Sequence, residues 1–546
     1  MSSLIKRLII PISIIVVIAG SLAYFLLFQQ SGSPIEVASI EFSIDAHLFS
    51  LNRVIKIELR NLGDNNITVN RVMINDEVWN MWAPRNLLII PKSSGVLNVY
   101  YPWNGREYKI TVETSGGTVE FNKQAPEFTQ IRLNLQNNRN EEWNDMVHFN
   151  MFFADGELSE PKIAVYEGEN SVPCQIWGIV RYESGYIKTA TITFMATMAP
   201  TGKKTYTIKL GEQGQIPPET GMIEITRRNE NYVIISNNII KIGFNEEYRG
   251  EIDFVSDMRE SVNLARKYIF GHWDPNAGAG QAWSQGFLQS SLYYFGPMNA
   301  LNKDIKCETY IETEGPLLAI YARKWFLRGN LGVGYEFFAI PYNNPRILYK
   351  FSLEMTGDLN QGPGAAPGSG YEYYNWFGCG GLAIPLLSVK DGTFFLTEDV
   401  NTYFPDWPGN DLWAKHTVAA CINATYGAAI RIIGNDPVIP IGYWHVVIRR
   451  WPWDQDITSV PEIGIWIGQI HIAGIPEGKL CWTGQPLNNE PYAAEREITP
   501  RGTITLYRGF YSWLFNVEIL INRDVALTLK DLSEYDKIEV SAKPTD

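Results

Sequence analysis

From Ile35 onward the chain is written in a two-residue hydrophobic period. Val54-Ile55-Lys56-Ile57-Glu58-Leu59 puts Ile55, Ile57 and Leu59 on one face of an extended segment. Gly63-Asp64-Asn65-Asn66 then supplies a turn, and Ile67 to Met73 resumes the alternation. Tyr108-Lys109-Ile110-Thr111-Val112, the Gly116-Gly117 turn and Thr118–Phe121 repeat the scheme. Alternating runs at roughly 8–12-residue spacing stack into sandwiches or barrels. Only Asp257–Tyr268 reads as a helix in this exterior part. The fold class predicted is all-β: an N-terminal transmembrane helix, a small β-sandwich, a barrel-like β domain and a large β-supersandwich.

The transmembrane helix is predicted from Leu8 to Phe28, LIIPISIIVVIAGSLAYFLLF, twenty-one residues without a charge. A bilayer core needs ~20 apolar residues in helical form. Lys6 and Arg7 precede the run and no charge follows closely, which places the N-terminus inside and the bulk of the chain outside. A cleaved secretory signal is the competing reading, although Pro34 would sit badly just after a cut following Ser33. Both readings export the chain, to the extracellular face of the membrane or into the medium.

Residues 1–34 are then the anchor or signal with its linker. Residues 35–125 form the first β unit, which resembles the immunoglobulin-like modules of archaeal surface and pilus proteins and serves as a stalk. Pro126 opens a second unit, 126–216. It carries His148-Phe149-Asn150-Met151-Phe152-Phe153-Ala154-Asp155-Gly156-Glu157-Leu158, then Val172-Pro173-Cys174-Gln175, then Tyr186-Ile187-Lys188-Thr189-Ala190-Thr191-Ile192-Thr193-Phe194, then Gly202-Lys203-Lys204-Thr205-Tyr206-Thr207-Ile208. This progression resembles the N-terminal barrel-like β domain of the exo-rhamnogalacturonan-lyase-like group, except that Glu183-Ser184-Gly185-Tyr186 stands where that group has Asp-Gly-Ser. Independently of family, Ala190, Ile192 and Phe194 face one side and Thr189, Thr191 and Thr193 the other, the pattern of a half-buried strand.

Pro217-Pro218 marks the next boundary, and 217–546 stays β. Tyr232–Ile235, Asn237-Asn238 and Ile239–Phe244 read as a hairpin. Asn238-Ile239-Ile240-Lys241-Ile242-Gly243-Phe244, then Gly250-Glu251-Ile252, then Glu314-Gly315-Pro316-Leu317, resemble the supersandwich of galactose-mutarotase-like and polysaccharide-lyase proteins. The resemblance implies polysaccharide chemistry. The helical toroid that such lyases often carry has no counterpart in the pattern.

The net charge of −13 and the lack of any Lys/Arg stripe exclude a nucleic-acid partner. Five scattered cysteines, without a CxxC or His-Cys cluster, argue against zinc; export would allow two or four to pair. Asn66-Ile67-Thr68 and Asn423-Ala424-Thr425 are glycosylation sequons, as suits an exterior glycoprotein. Asp454-Gln455-Asp456 offers an incomplete set of calcium ligands, so no cofactor is expected.

Three loops mix aromatic rings with polar groups, as a sugar site requires. The first holds His272, Trp273 and Asp274; the second Tyr371, Glu372, Tyr374 and Trp376; the third Asp406, Trp407, Asp411, Trp413 and His416. A glycosidase needs two carboxylates about the scissile bond, with Asp274, Glu372, Asp406 and Asp411 available. A lyase needs a base and an acid, for which His272, His416 and His445 with Tyr371 or Tyr374 serve, and Arg449 or Arg450 would neutralise a uronate. The catalytic set predicted is His272, Tyr371, His445, Glu372 and Asp406, with Trp273, Asp274, Tyr374, Trp376, Trp407, Trp413, His416 and Arg449 binding substrate. The bland alternatives are hydrogen-bonded structural histidines and aspartates that close turns. Two functional classes remain open: recognition, with or without cleavage, of polysaccharide, and a non-catalytic adhesin, envelope or filament protein. A filament predicts self-association, with Ile35–Ile44 as the strand that pairs with a neighbour.

Overall fold

The computed structural model describes residues 34–217 almost continuously, then 223–257, 306–326, 332–357, 508–520 and 537–545 with small gaps, and short strand segments elsewhere. Leu8–Phe28 lies outside the described residues. Among the described residues every regular element of any length is a strand, and no helix is long and apolar enough to cross a membrane. Within the stretch expected as a helix, Val262–Asn263 is instead a strand, paired with Ser256–Asp257. There the β-branched Val262 extends an existing sheet, and that tertiary pairing outweighs the local pattern.

The first sandwich is built on a hairpin of two long strands, Ile35–His47 and Phe49–Asn61, paired along their length. The backbone reverses at Phe49, which has φ 79. Ser94–Tyr100 continues this sheet, and the opposing sheet is Glu77–Trp79, Ile67–Ile74, Glu107–Thr114 and Gly117–Gln124. The alternation decides what lies between them: Ile55, Ile57 and Leu59 meet Val72, Ile110 and Val112, all fully buried. Ile35–Ile44, the strand expected to reach a neighbouring molecule, pairs along one edge with Phe49–Asn61 of its own chain.

The same sheet does not stop at residue 125. Phe49–Leu51 pairs in parallel with Phe149–Met151, and the order runs on through Ile187–Met198 to Cys174–Arg181, giving seven strands. Against this second half lies a five-stranded sheet that includes Gln130–Asn137 and, from the far end of the chain, Ile538–Thr545. Val147, Phe149, Ile192 and Phe194 pack there on Ile131, Leu133, Tyr206 and Ile208, with the Phe194 and Tyr206 rings 5.0 Å apart.

The other face of these strands departs from the expectation. Thr189, Thr191 and Thr193 have no exposed surface. They are covered by an eight-stranded sheet whose central strands are Leu318–Phe326, Gly332–Pro341, Arg346–Met355 and Gly509–Leu520. Its own covered face is partly polar, and a chain of hydrogen bonds crosses the interface: Asn150 donates to Ser512, Thr189 donates to Asn150, and Ser352 lies 2.9 Å from Ser512. The hairpin Tyr232–Ser236 and Ile240–Asn245, as anticipated, lies on the far face, where the Phe244 ring stacks on Tyr321 at 4.0 Å. Four layers of sheet result.

One contact joins two of the quoted motifs across the layers. The Gln175 amide accepts from the Leu317 and Leu318 N–H groups and donates to the Leu318 carbonyl at 2.8 Å. Gly315 allows it, because a Cβ there would overlap the Gln175 amide. Gly315→Ala should therefore lower stability by ~1–3 kcal/mol through overpacking, measured by urea unfolding. Gly168→Ala, at a turn with open space around it, serves as a comparison for turn strain alone.

Candidate functional site

The selected loop residues are reached only in part. His272 ends strand Phe270–His272, which pairs with Gln281–Trp283. Trp413 lies in Leu412–Ala414 and Arg449 in Val446–Arg450. These two strands are neighbours: Leu412 pairs with Ile448, Trp413 with Val447, and Ala414 with Val446. On its other side Leu412–Ala414 pairs with Thr402–Tyr403. The fold thereby sets Leu412–Ala414 beside Val446–Arg450. Trp273, Asp274, Tyr371, Glu372, Tyr374, Trp376, Asp406, Trp407, His416 and His445 lie outside the described residues, as do Asp454 and Asp456.

Among the described residues, a cavity of about 360 Å³ opens where the first sandwich meets the second unit. Asn104, Arg106, Glu127, Phe128, Thr129 and Glu157 contribute to its lining. Glu157 of this lining is held in an ion pair by Arg53. Arg53 sits where the Phe49–Asn61 strand leaves its parallel partner and joins Ser94–Tyr100, so its side chain points into the seam. Its guanidinium donates to both Glu157 oxygens, at 2.7 and 2.6 Å, and to the Trp103 carbonyl at 3.0 Å. Asn104 and the Ala154 N–H complete the carboxylate's shell at 3.1 and 2.8 Å. With side chains 2% and 9% exposed, the two charges depend on each other. Glu157 is fully occupied in holding this ion pair, which leaves Arg106, Glu127 and Thr129 at the cavity's surface.

Two further buried charge clusters were not singled out in the sequence. Lys350 lies between the seven- and eight-stranded sheets and donates to the Gly178 carbonyl at 2.6 Å. The Gly178 and Ile179 N–H groups donate to Glu312 at 2.7 and 2.8 Å. Gly178 has φ +64, and a Cβ there would meet the Lys350 chain at 2.8 Å, so glycine is required. Burial pulls the Lys350 ammonium down to about 7, against the opposing field of Glu312. Burial pushes the Glu312 carboxyl up, against its two N–H donors. On the far face of the same sheet, Glu336 accepts from Trp325 and Tyr349, each at 2.6 Å, and forms an ion pair with Arg323 at 2.8 Å, all fully or almost fully buried. The signal was available: Arg323 and Glu336 fall on the apolar phase of their strands, between Tyr321 and Trp325 and between Gly334 and Phe338.

His148, part of a motif and not a site residue, is buried against Thr193 at 2.7 Å, and burial lowers its pKa to about 3. It is a neutral structural imidazole. Cys174 is a buried thiol, pushed up to about 11 by burial, which makes it a poor nucleophile. Among the described residues no cluster of His, Cys, Asp or Glu could hold a metal ion.

No protein-family profile matches the chain, and no curated protein matches it in sequence. Solved structures similar to it include an alpha-mannosidase from Enterococcus faecalis, aligned over 76% of this chain and 46% of its own at 9% identity and a TM-score of 0.34. A protein in the glycosyl hydrolase family 38, also from Enterococcus faecalis, aligns over 76% of this chain and 47% of its own at 11% identity and a TM-score of 0.35. The chain spans about half the length of both. Neither is described as a rhamnogalacturonan lyase, so that resemblance rests on the short motifs.

Removing the Glu157 carboxylate leaves Arg53 charged and buried. Glu157→Ala should cost ~3–5 kcal/mol in urea unfolding, whereas Glu127→Gln on the cavity rim should stay within ~0.5 kcal/mol. Lys350 gives a pH signature. An unfolded lysine titrates near ~10.4, so above pH of about 7 the unfolded chain keeps a proton that folded Lys350 has released. The Lys350 contribution to stability therefore rises between about pH 7 and 10, by as much as ~1.4 kcal/mol per pH unit. The stability of wild type minus that of Lys350→Met, followed across this range, should show the slope.

Proposed function

We propose that the chain is a polysaccharide-recognising protein held at the outer face of a cell membrane by Leu8–Phe28, with an acidic glycan as its ligand. The observation that carries this reading is the pairing of Leu412–Ala414 with Val446–Arg450, which sets the Trp413 and Arg449 strands side by side. Aromatic faces pack on the C–H side of a sugar ring, and a guanidinium takes a uronate carboxylate in a bidentate fork. Aromatic loops on a β framework suit that task. The mannosidase-like structures are too distant in sequence and shape to contribute to it.

Cleavage is a separate step, and its candidates are those of the sequence: His272, His445 and Tyr371 for elimination, Glu372 and Asp406 for hydrolysis. The experiment is a panel of uronate-containing and neutral polysaccharides presented to the full chain in nanodiscs, reading retention, new reducing ends and unsaturated-uronate absorbance. Retention of uronate polymers is expected, weakened roughly tenfold or more by Trp413→Ala or Arg449→Ala. Absorbance with reducing ends would assign elimination; reducing ends alone would assign hydrolysis. Retention equal for neutral and acidic polymers and unchanged in both variants would overturn the site. No retention of any polymer would leave the non-catalytic structural reading.

A further inference from the structure

The long hairpin has two different ends. At one end Phe49–Leu51 joins the rest of the molecule through Phe149–Met151. At the other end, thirteen residues away along Ile35–His47, the chain enters from Pro34. At ~3.3 Å per residue the ends are ~40 Å apart. Three turns gather around Pro34. Leu62 N–H donates to the Pro34 carbonyl at 2.6 Å, a Cβ on Gly63 or Gly116 would meet the Pro34 ring, and Lys92 donates to the Leu62 carbonyl at 2.5 Å.

Large apolar side chains are exposed at this end. Leu62 is 45% exposed, Leu88 52% and Ile90 56%. Leu88 and Ile90 flank the buried Ile89 of the short strand Leu88–Ile89, whose carbonyl accepts from Asn61 at 2.9 Å, and both are exposed. At the same turns Lys92 pairs with Asp64 at 3.1 Å.

What covers this end follows from the chain that precedes it. Only Gln29–Ser33 separate Phe28 from Pro34. Five residues span at most ~18 Å fully extended. A membrane anchored by Leu8–Phe28 is therefore held within one short tether of Leu62, Leu88 and Ile90. We propose that this tip of the first sandwich docks on the bilayer surface, with Leu62, Leu88 and Ile90 entering the interface and the Lys92 ammonium lying at headgroup level. Short apolar projections beside a cation are the chemistry of interfacial binding. A docked tip sets the hairpin upright and holds the remaining sheets ~40 Å from the lipid, where a surface polymer can be reached. This inference rests on the anchor reading of Leu8–Phe28. It also requires Asn66 to be unmodified, since that sequon lies in the same turn region and a glycan there would hold the tip away.

The test uses the full chain reconstituted into vesicles of phosphatidylcholine with phosphatidylglycerol. Flotation after an alkaline wash reads the anchor; hydrogen exchange of peptides covering 60–66 and 86–94 reads the tip. The expected result is flotation, with tip amides slowed roughly tenfold in wild type relative to a Leu62→Ser/Ile90→Ser double variant, and identical exchange in Val54–Leu59 for both. Flotation with equal tip exchange in the two proteins would overturn the docking and leave the anchor standing. Failure to float would overturn the anchor and the docking together. A glycan found on Asn66 by mass spectrometry would overturn the docking alone.

Discussion

Lys350, Glu312 and the two peptide groups of Gly178 form a buried polar lattice between the seven- and eight-stranded sheets. The Gln175 clamp on Leu317 and Leu318 stands on the same interface, as does the chain from Thr189 through Asn150 to Ser512 and Ser352. A buried polar group without its partner costs ~1–3 kcal/mol and a charged one more. Whole domains are stable by only ~5–15 kcal/mol. Neither sheet can keep this face buried alone, and a slipped packing would leave several groups unmet at once. The lattice therefore fixes one register between the layers, where an apolar interface would tolerate several.

From that constraint the rest of the architecture follows. The seven-stranded sheet is common to the first sandwich and the second unit, because the Phe49–Asn61 strand serves Phe149–Met151 with one half and Ser94–Tyr100 with the other. Arg53 lies at the changeover, and its pair with Glu157 fills the position where neither partner strand can supply apolar cover. The last strand, Ile538–Thr545, returns to Gln130–Asn137 and ties the end of the chain to its second unit.

The sequence was legible where structure is local. The alternation of Ile55, Ile57 and Leu59, the Gly63–Asn66 turn and the hairpin from Tyr232 to Phe244 are each set by neighbours in the chain, and each is found. The motifs around Gln175 and Gly315 were readable singly, but not that they touch, since 143 residues separate Gln175 from Leu318. The same holds for the parallel pairing of Phe49 with Phe149. Thr189, Thr191 and Thr193 misled because polarity in a strand normally marks solvent; here a second sheet covers them, with Lys350 reaching Thr189, while Thr193 is met within its own sheet by His148 and Trp177. Of the candidate site, the convergence of the Trp413 and Arg449 segments is a pairing between distant strands, which no short-range pattern encodes. Arg323 and Glu336 carried a readable signal, a charge on the apolar phase, that was overlooked.

If the polar lattice makes the sheets one unit, they must unfold together. The direct measurement is native-state hydrogen exchange in sub-denaturing urea, comparing amides of Trp143–Phe152 in one sheet with those of Arg346–Met355 in the other. The account predicts a common opening free energy for the two strands in wild type and a fall of both by the same amount in Gln175→Ala. Two distinct opening free energies, with Gln175→Ala moving only one of them, would contradict it.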